Sequence, residues 1–351
     1  LLEREPLFGM QSTGKCAGGI RHQFSTAINV RLSLLSLAMF DRFEAEIGQP
    51  IDLRYCGYLF LLTGDDEVAL FRDAVALQHS LGVSTEWLER AEIARMAPLV
   101  SLEGVLAGTF HARDGLADPS SVVQGYVSGA RRLGARLLTE VEVIDIAVKS
   151  GRVQGVVTRR GTVAAPVVVI AAGAWSAEVG RMAGVDIPIA PLRRQIVVTG
   201  PIPDLPPDFP FVVEFARSLY FHREGPGILT GMSNPRQPVG FDQSVDPEWE
   251  LIHLEAAMAR MPILERAGLA SRWAGLYEAT PDAHPVLGCI SPVEGLYCIA
   301  GFSGHGFMHG PGAGLLLAEE VLDGRAHSLD IAPLRFERFM TGATAAEHGV
   351  I

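Results

Sequence analysis

Gly295-Leu296-Tyr297-Cys298-Ile299-Ala300-Gly301-Phe302-Ser303-Gly304-His305-Gly306 is the stretch that decides the fold. Its first six residues read as a short strand, Gly301 to Gly306 as a glycine turn, and Gly312 to Leu322 as the helix that follows. A strand that turns on glycines into a helix aims several backbone N–H groups and a positive helix end at one place. That place favours an anion.

On either side of the turn the sequence has α/β texture. Val167 to Ala172 is wholly apolar and ends at Gly173, which suits a central parallel strand covered on both faces. Arg136 to Thr139, Glu142 to Val148 and Arg152 to Thr158 read as short strands. Ser121 to Leu133 reads as a helix, started by Pro119 or Ser120 and stopped by Gly134. Asn29 to Ile47 is a second helix with Gly48 as its cap, Tyr58 to Leu62 a strand, and Glu67 to Leu81 a third helix. Leu1 to Glu3 looks like the end of a buried strand that feeds the loop Pro6 to Gly19. Between Pro188 and Trp273 the pattern changes to β-branched runs and a proline-dense loop, Pro201 to Pro210, with strands near Phe211 and Leu219. The expected architecture is an α/β domain, 1–50, 114–187 and 274–351, interleaved with an antiparallel-sheet domain, 51–113 and 188–273.

With 351 residues the chain can bury two cores. A net charge of −11 opposes a polyphosphate, so nucleic acid is not an expected partner. Mean hydropathy is +0.24, yet apolar runs such as Val167 to Ala172 fall far short of the ~18 residues a membrane helix needs. The opening residues lack the pattern of an export leader, and Cys16, Cys56, Cys289 and Cys298 form no CxxC pair. A cytoplasmic protein without disulfide or structural metal is expected.

Trp273-Ala274-Gly275-Leu276-Tyr277-Glu278-Ala279-Thr280-Pro281-Asp282-Ala283-His284-Pro285, followed by the glycine turn, resembles the carboxy-terminal signature of the D-amino-acid oxidase superfamily. The branch it is most similar to holds the sarcosine oxidase β subunit, dimethylglycine dehydrogenase and the heteromeric proline dehydrogenases. The resemblance implies a Rossmann-like FAD-binding domain and an antiparallel substrate domain. It also implies flavin contacts for Ser12, Thr13, Gly18, Gly19 and Ile20 in the first loop, and for Gly301, Phe302, Ser303, Gly304, His305, Gly306, Phe307 and Met308 at the turn. Glu3 would bind the adenosine ribose, Val143 the adenine, and Ala172, Gly173 and Trp175 would close over the ribityl chain. Pro191-Leu192-Arg193-Arg194-Gln195 is similar to the entry to the family's substrate sheet.

The family's reaction, oxidation of an amine or amino acid by hydride transfer to flavin N5, needs a cation to hold a substrate carboxylate. Arg21, with His22 beside it, falls on the flavin face by the motif match and is the first candidate, because a guanidinium grips a carboxylate with two hydrogen bonds. Tyr220 and Tyr277 resemble the pocket's aromatic hydroxyls; His222 and His284 read first as packed side chains. Tyr277 stands where the glycine-oxidase branch has its carboxylate-binding arginine, Met308 where monomeric sarcosine oxidases carry lysine, and Gly275 at their flavin-linking cysteine. These departures imply a noncovalent flavin and a dehydrogenase, passing electrons to an acceptor or partner subunit, rather than an oxidase. Oxidation of a hydroxy acid or glycerol phosphate, and a flavin subunit with an idle pocket, are the rival readings.

The GxGxxG fingerprint of a dinucleotide fold is missing. Because Leu1 already reads as second-strand sequence, one βα unit of about 30 residues is expected to precede it in the native gene product. The 351-residue chain should then bind FAD weakly; flavin absorbance co-purifying with it one to one would contradict this.

Overall fold

A computed structural model describes residues 1–342 and 344–350. Leu296–Ala300 lies between Val286–Cys289, its antiparallel neighbour, and Val168–Ile170, its parallel one. Its buried side chains, Leu296, Cys298 and Ala300, join Ile146, Val153 and Ile170 in one core cluster. Helix Gly306–Asp323 leaves the end of this strand and packs on helix Ala27–Asp41. The approach is close: a Cβ on Gly312 would lie 2.7 Å from Ser36 Oγ, which accepts the Gly312 N–H at 3.0 Å. A three-stranded meander, Val143–Lys149, Arg152–Thr158 and Gly161–Ala164, completes this layer.

The second layer is an eight-stranded sheet in the order Leu269–Ala279, Ala190–Thr199, Gly227–Met232, Leu219–Glu224, Phe211–Glu214, Tyr58–Leu62, Ala107–His111, Glu86–Leu88. Both faces are covered, which is why Tyr58–Leu62 is apolar throughout. Leu59 and Leu61 face a cluster shared with Ala257 and Met261, at the end of helix Pro247–Arg260, while Tyr58 and Phe60 face Phe211, Tyr220 and Ile196 on the other side.

Several expectations need correction. The sheet is not wholly antiparallel: Phe211–Glu214 runs parallel to Tyr58–Leu62, with Phe211 opposite Tyr58. Val167 to Ala172 is not a central strand covered on both faces. Its paired core, Val168–Ile170, lies at a sheet edge, with Ile170 buried and Val169 41% exposed because alternate side chains face the core and an open cleft. Leu1 is 65% exposed rather than buried; only Leu2 pairs, with Leu138, and that single bridge replaces the strand expected over Arg136 to Thr139. The helix of 29–47 breaks at Arg42 into Ala27–Asp41 and Phe43–Ile47, and the last long helix starts at Gly306, six residues before the expected Gly312.

The turn after Leu269–Ala279 is fastened by a buried ion pair. Arg338 donates from Nε to Asp282 Oδ2 at 2.7 Å and from NH2 to Oδ1 at 3.1 Å. Burial pushes the Asp282 carboxyl up, but the hydrogen bonds and charge of Arg338 outweigh it and hold the group below its usual range. A depressed folded-state value stabilises above the unfolded value and is lost as pH falls through the folded one. Asp282→Ala should cost about 3–5 kcal/mol in urea unfolding at pH 7, since it strands a buried guanidinium. The gap to wild type should narrow below about pH 4. Equal stability at pH 7 would contradict the pairing.

Candidate functional site

Between the two layers lies a cavity of about 860 Å³. Three chain segments that are remote in sequence meet in it: the loop after Glu3, the edge strand Val168–Ile170 with the residues that follow it to Gly173, and the glycine turn. Glu3, Ser12, Thr13, Gly18, Gly19, Arg21, Val143, Ala172, Gly173, Trp175, Tyr220, Tyr277 and Phe302 to Met308 all line it. Ile20, His22 and Gly301 do not. Ile20 is fully buried in a core cluster, and Gly301, at φ +83°, packs where a Cβ would lie 2.5 Å from Thr280 Cγ2.

The first loop is held against the second layer. Ser12 Oγ donates to the Leu276 carbonyl at 2.7 Å, and Trp273 Nε1 donates to the Lys15 carbonyl at 2.9 Å. Gly19 leaves room for the Tyr58 hydroxyl, which would lie 1.7 Å from any Cβ placed there. At its start Glu3 spends one carboxylate oxygen on the Glu5 N–H, at 2.9 Å.

At the turn, Ser303 and Gly304 have φ of +49° and +99°, and a Cβ on Gly304 would lie 2.5 Å from Tyr277 Cε2. His305 works as scaffold. Its Nε2 faces the Ala283 carbonyl at 3.0 Å, which can only accept, so the proton sits there and Nδ1 accepts from His309 Nδ1 at 3.1 Å. His309 Nε2 then accepts from Ser33 Oγ at 2.9 Å. Burial, with the nearby Arg21 charge, pushes His305 down to about 3 and lowers His309 too, so both rings are neutral. The turn itself contributes positive character through its backbone and helix end, beside the Arg21 charge.

Arg21 is buried, with its guanidinium 3.8 Å from the Phe24 ring centre and donating to the carbonyls of Gln23 and Gly349. His22 lies behind it. Its Nδ1 meets Asp114 Oδ1 at 2.8 Å, and the same carboxylate takes the His22 N–H at 2.7 Å and Gln23 Nε2 at 3.1 Å. His22, His111 and Asp114 bring ligand atoms within 4.8 Å of one another, but Asp114 is already engaged by these donors. His22 and Asp114 form a hydrogen-bonded support for the Arg21 segment, while His111 meets the His22 ring edge-on and turns Nδ1 to the Ser84 carbonyl.

Two residues that sequence reasoning did not single out complete the site. Arg194 lines the cavity 4.9 Å from the Tyr277 ring centre, its Nε buried without a partner and its NH1 on the Arg193 carbonyl at 3.0 Å. Among the described residues neither Arg194 nor Arg21 has a carboxylate partner. The signal for Arg194 was the period of its strand, which puts 194 on the cavity face with Ile196. Glu278 is the other. Its Oε2 is buried and unpartnered, and burial pushes its carboxyl up to about 7 against the pull of the Gly301 and Phe302 peptides. Burial also pushes the Tyr220 and Tyr277 hydroxyls up, which keeps both protonated.

An α/β layer that turns a glycine loop and helix end into a cleft shared with a second sheet defines a protein built around a dinucleotide cofactor. The chain belongs to the DAO family, FAD dependent oxidoreductase, whose model matches residues 1–320. It is similar to mitochondrial dimethylglycine dehydrogenase from Mus musculus, 28% identical over 93% of this chain and 40% of that protein. The chain thus spans about 40% of the length of that curated relative. Among solved structures it is similar to L-proline dehydrogenase from P. horikoshii, 31% identical with a TM-score of 0.90, covering 98% of this chain and 91% of that one. Glycine oxidase from Geobacillus kaustophilus is 25% identical with a TM-score of 0.85, over 96% and 91%. No described helix is long and apolar enough to cross a membrane.

The cofactor of this family is FAD, and the residues fit it. Gly19, Gly173 and Gly304 keep the cavity walls free of side chains, Glu3 retains a free carboxylate oxygen, and Glu278 holds an orphaned one. Gly304→Ala forces a Cβ into Tyr277 at a backbone angle that L-residues resist. It should raise the FAD dissociation constant at least about tenfold in a fluorescence-quenching titration. An unchanged constant would show that the turn does not touch the cofactor.

Proposed function

We propose that the protein oxidises an amino acid or a carboxylate-bearing secondary or tertiary amine, of the sarcosine, proline or D-amino-acid kind. The observation that carries this reading is Arg194, a cavity guanidinium with a free Nε and no carboxylate partner, set beside the Tyr220 and Tyr277 hydroxyls. Without a carboxylate partner among the described residues, such a guanidinium is held ready for a substrate carboxylate, which it grips with two hydrogen bonds. Arg21, tied to two carbonyls, adds positive potential from the opposite loop and remains a second candidate for the grip. The tyrosines stay protonated and so act as donors.

When bound, the flavin takes the hydride at N5 and leaves an imine that water hydrolyses. Its placement would be the work of the chain: the first loop and the turn would hold the ring, and Arg194 would fix the substrate carboxylate and so orient the α-carbon for reaction. His305 and His309 are too weakly basic to take a proton near neutral pH. The similarity to dimethylglycine and proline dehydrogenases agrees with this substrate class. We assign the cofactor layer to 1–50, 114–187 and 274–351 and the substrate layer to 51–113 and 188–273, in a cytoplasmic protein.

Anaerobic bleaching of the flavin by a panel of N-methyl, cyclic and D-amino acids tests the reading; a panel without effect, against bleaching by glycerol phosphate or a 2-hydroxy acid, would sink it. With the substrate so found, Arg194→Met should raise KM by about 10- to 150-fold, the worth of a charged hydrogen bond, with kcat changed much less. Arg194→Lys should recover part of the loss. Met308 stands where monomeric sarcosine oxidases carry lysine, so reoxidation by a partner or acceptor is expected to outrun oxygen. One peroxide formed per turnover in air would refute that preference.

A further inference from the structure

Glu278 lines the cavity, and its two carboxylate oxygens differ. Oε1 accepts the Phe302 N–H at 3.4 Å, whereas Oε2 is buried with no partner among the described residues. Opposite Oε2 stands Gly173, at φ +53°, whose missing Cβ would lie 3.5 Å away. The carboxyl therefore sits where the edge strand ends and the glycine turn begins, and all three places line the same cavity. We propose that Glu278 Oε2 hydrogen-bonds a hydroxyl of the cofactor's ribityl chain. This rests on the family's use of FAD at this cavity.

The chemistry narrows the occupant. A phosphate would meet a carboxylate of like charge, and an apolar ring edge would leave the oxygen unsatisfied at a cost. A hydroxyl suits it in either state, since it can donate to an ionised carboxyl and accept from a protonated one. A carboxyl raised to about 7 populates both states near neutral pH. Position agrees. Glu278 touches the start of the turn, Gly301 and Phe302, while the helix end that suits the ring lies beyond Gly304. The polyol that joins ring to pyrophosphate is the part of the cofactor left for this stretch.

The test compares wild type, Glu278→Leu and Glu278→Gln in fluorescence titrations with riboflavin, its 2′-, 3′- and 4′-deoxy analogues, and lumiflavin, which has no polyol. Glu278→Leu should weaken riboflavin about tenfold. It should leave lumiflavin and one deoxy analogue unchanged, the same analogue that wild type binds about tenfold less well than riboflavin. Glu278→Gln, which keeps a donor and an acceptor, should stay near wild type. Equal weakening of every flavin by Glu278→Leu would reduce Glu278 to a clamp on Phe302 and overturn the proposal. If Glu278→Leu does not fold, wild type alone decides: deoxy analogues that all match riboflavin overturn it. Binding of no flavin at all would instead refute the cofactor assignment beneath it.

Discussion

Gly301 and Gly304 let the backbone pass where any side chain would strike Thr280 or Tyr277, both at 2.5 Å from the missing Cβ. That bare backbone puts the first peptides of helix Gly306–Asp323 at the wall of the cavity instead of behind a layer of side chains. Much of the remaining architecture supports this placement. Strand Leu296–Ala300 aims the turn, the His305–His309–Ser33 chain ties it to helix Ala27–Asp41, and the Asp282–Arg338 pair fastens the neighbouring turn. A helix end offers its partial charge at no cost in desolvating an ion, so it can sit in a water-poor site where a lysine would need a partner.

Charge in the cavity follows one rule. Groups that serve the scaffold are satisfied: His305 and His309 are neutral and hydrogen-bonded, and Asp114 accepts three bonds. Two other cavity-lining side chains are not: Arg194 has a buried Nε and Glu278 a buried Oε2 without partners among the described residues. Leaving polar groups unpaired costs stability, and such costs concentrate where ligands are bound. The two orphans lie on neighbouring strands, one beside Tyr277 and the other beside Gly173.

Much of this was readable in the residues, and the failures have physical causes. Tyr58–Leu62 and Arg152–Thr158 match their expected bounds, since β-branched and aromatic runs between turn residues leave few alternatives. The glycine turn was legible because its spacing is tied to backbone geometry. Val167 to Ala172 misled because an apolar run cannot say whether its second face meets protein or an open cleft. Parallel pairing of Phe211–Glu214 with Tyr58–Leu62 depends on partners far apart in sequence, which local pattern does not carry. Arg194 escaped because a lone arginine within a strand carries no sign of whether a carboxylate waits across the fold, and Glu278 because its neighbour Tyr277 held the family signal.

We propose that the helix end at Gly306 faces the rim of the flavin ring that becomes negative on reduction. The midpoint potential of FAD bound to the protein, measured against free FAD, tests it most directly. The account predicts a more positive potential, because backbone dipoles and the buried guanidinia favour the reduced, anionic ring. A bound potential equal to or below that of free FAD would contradict it.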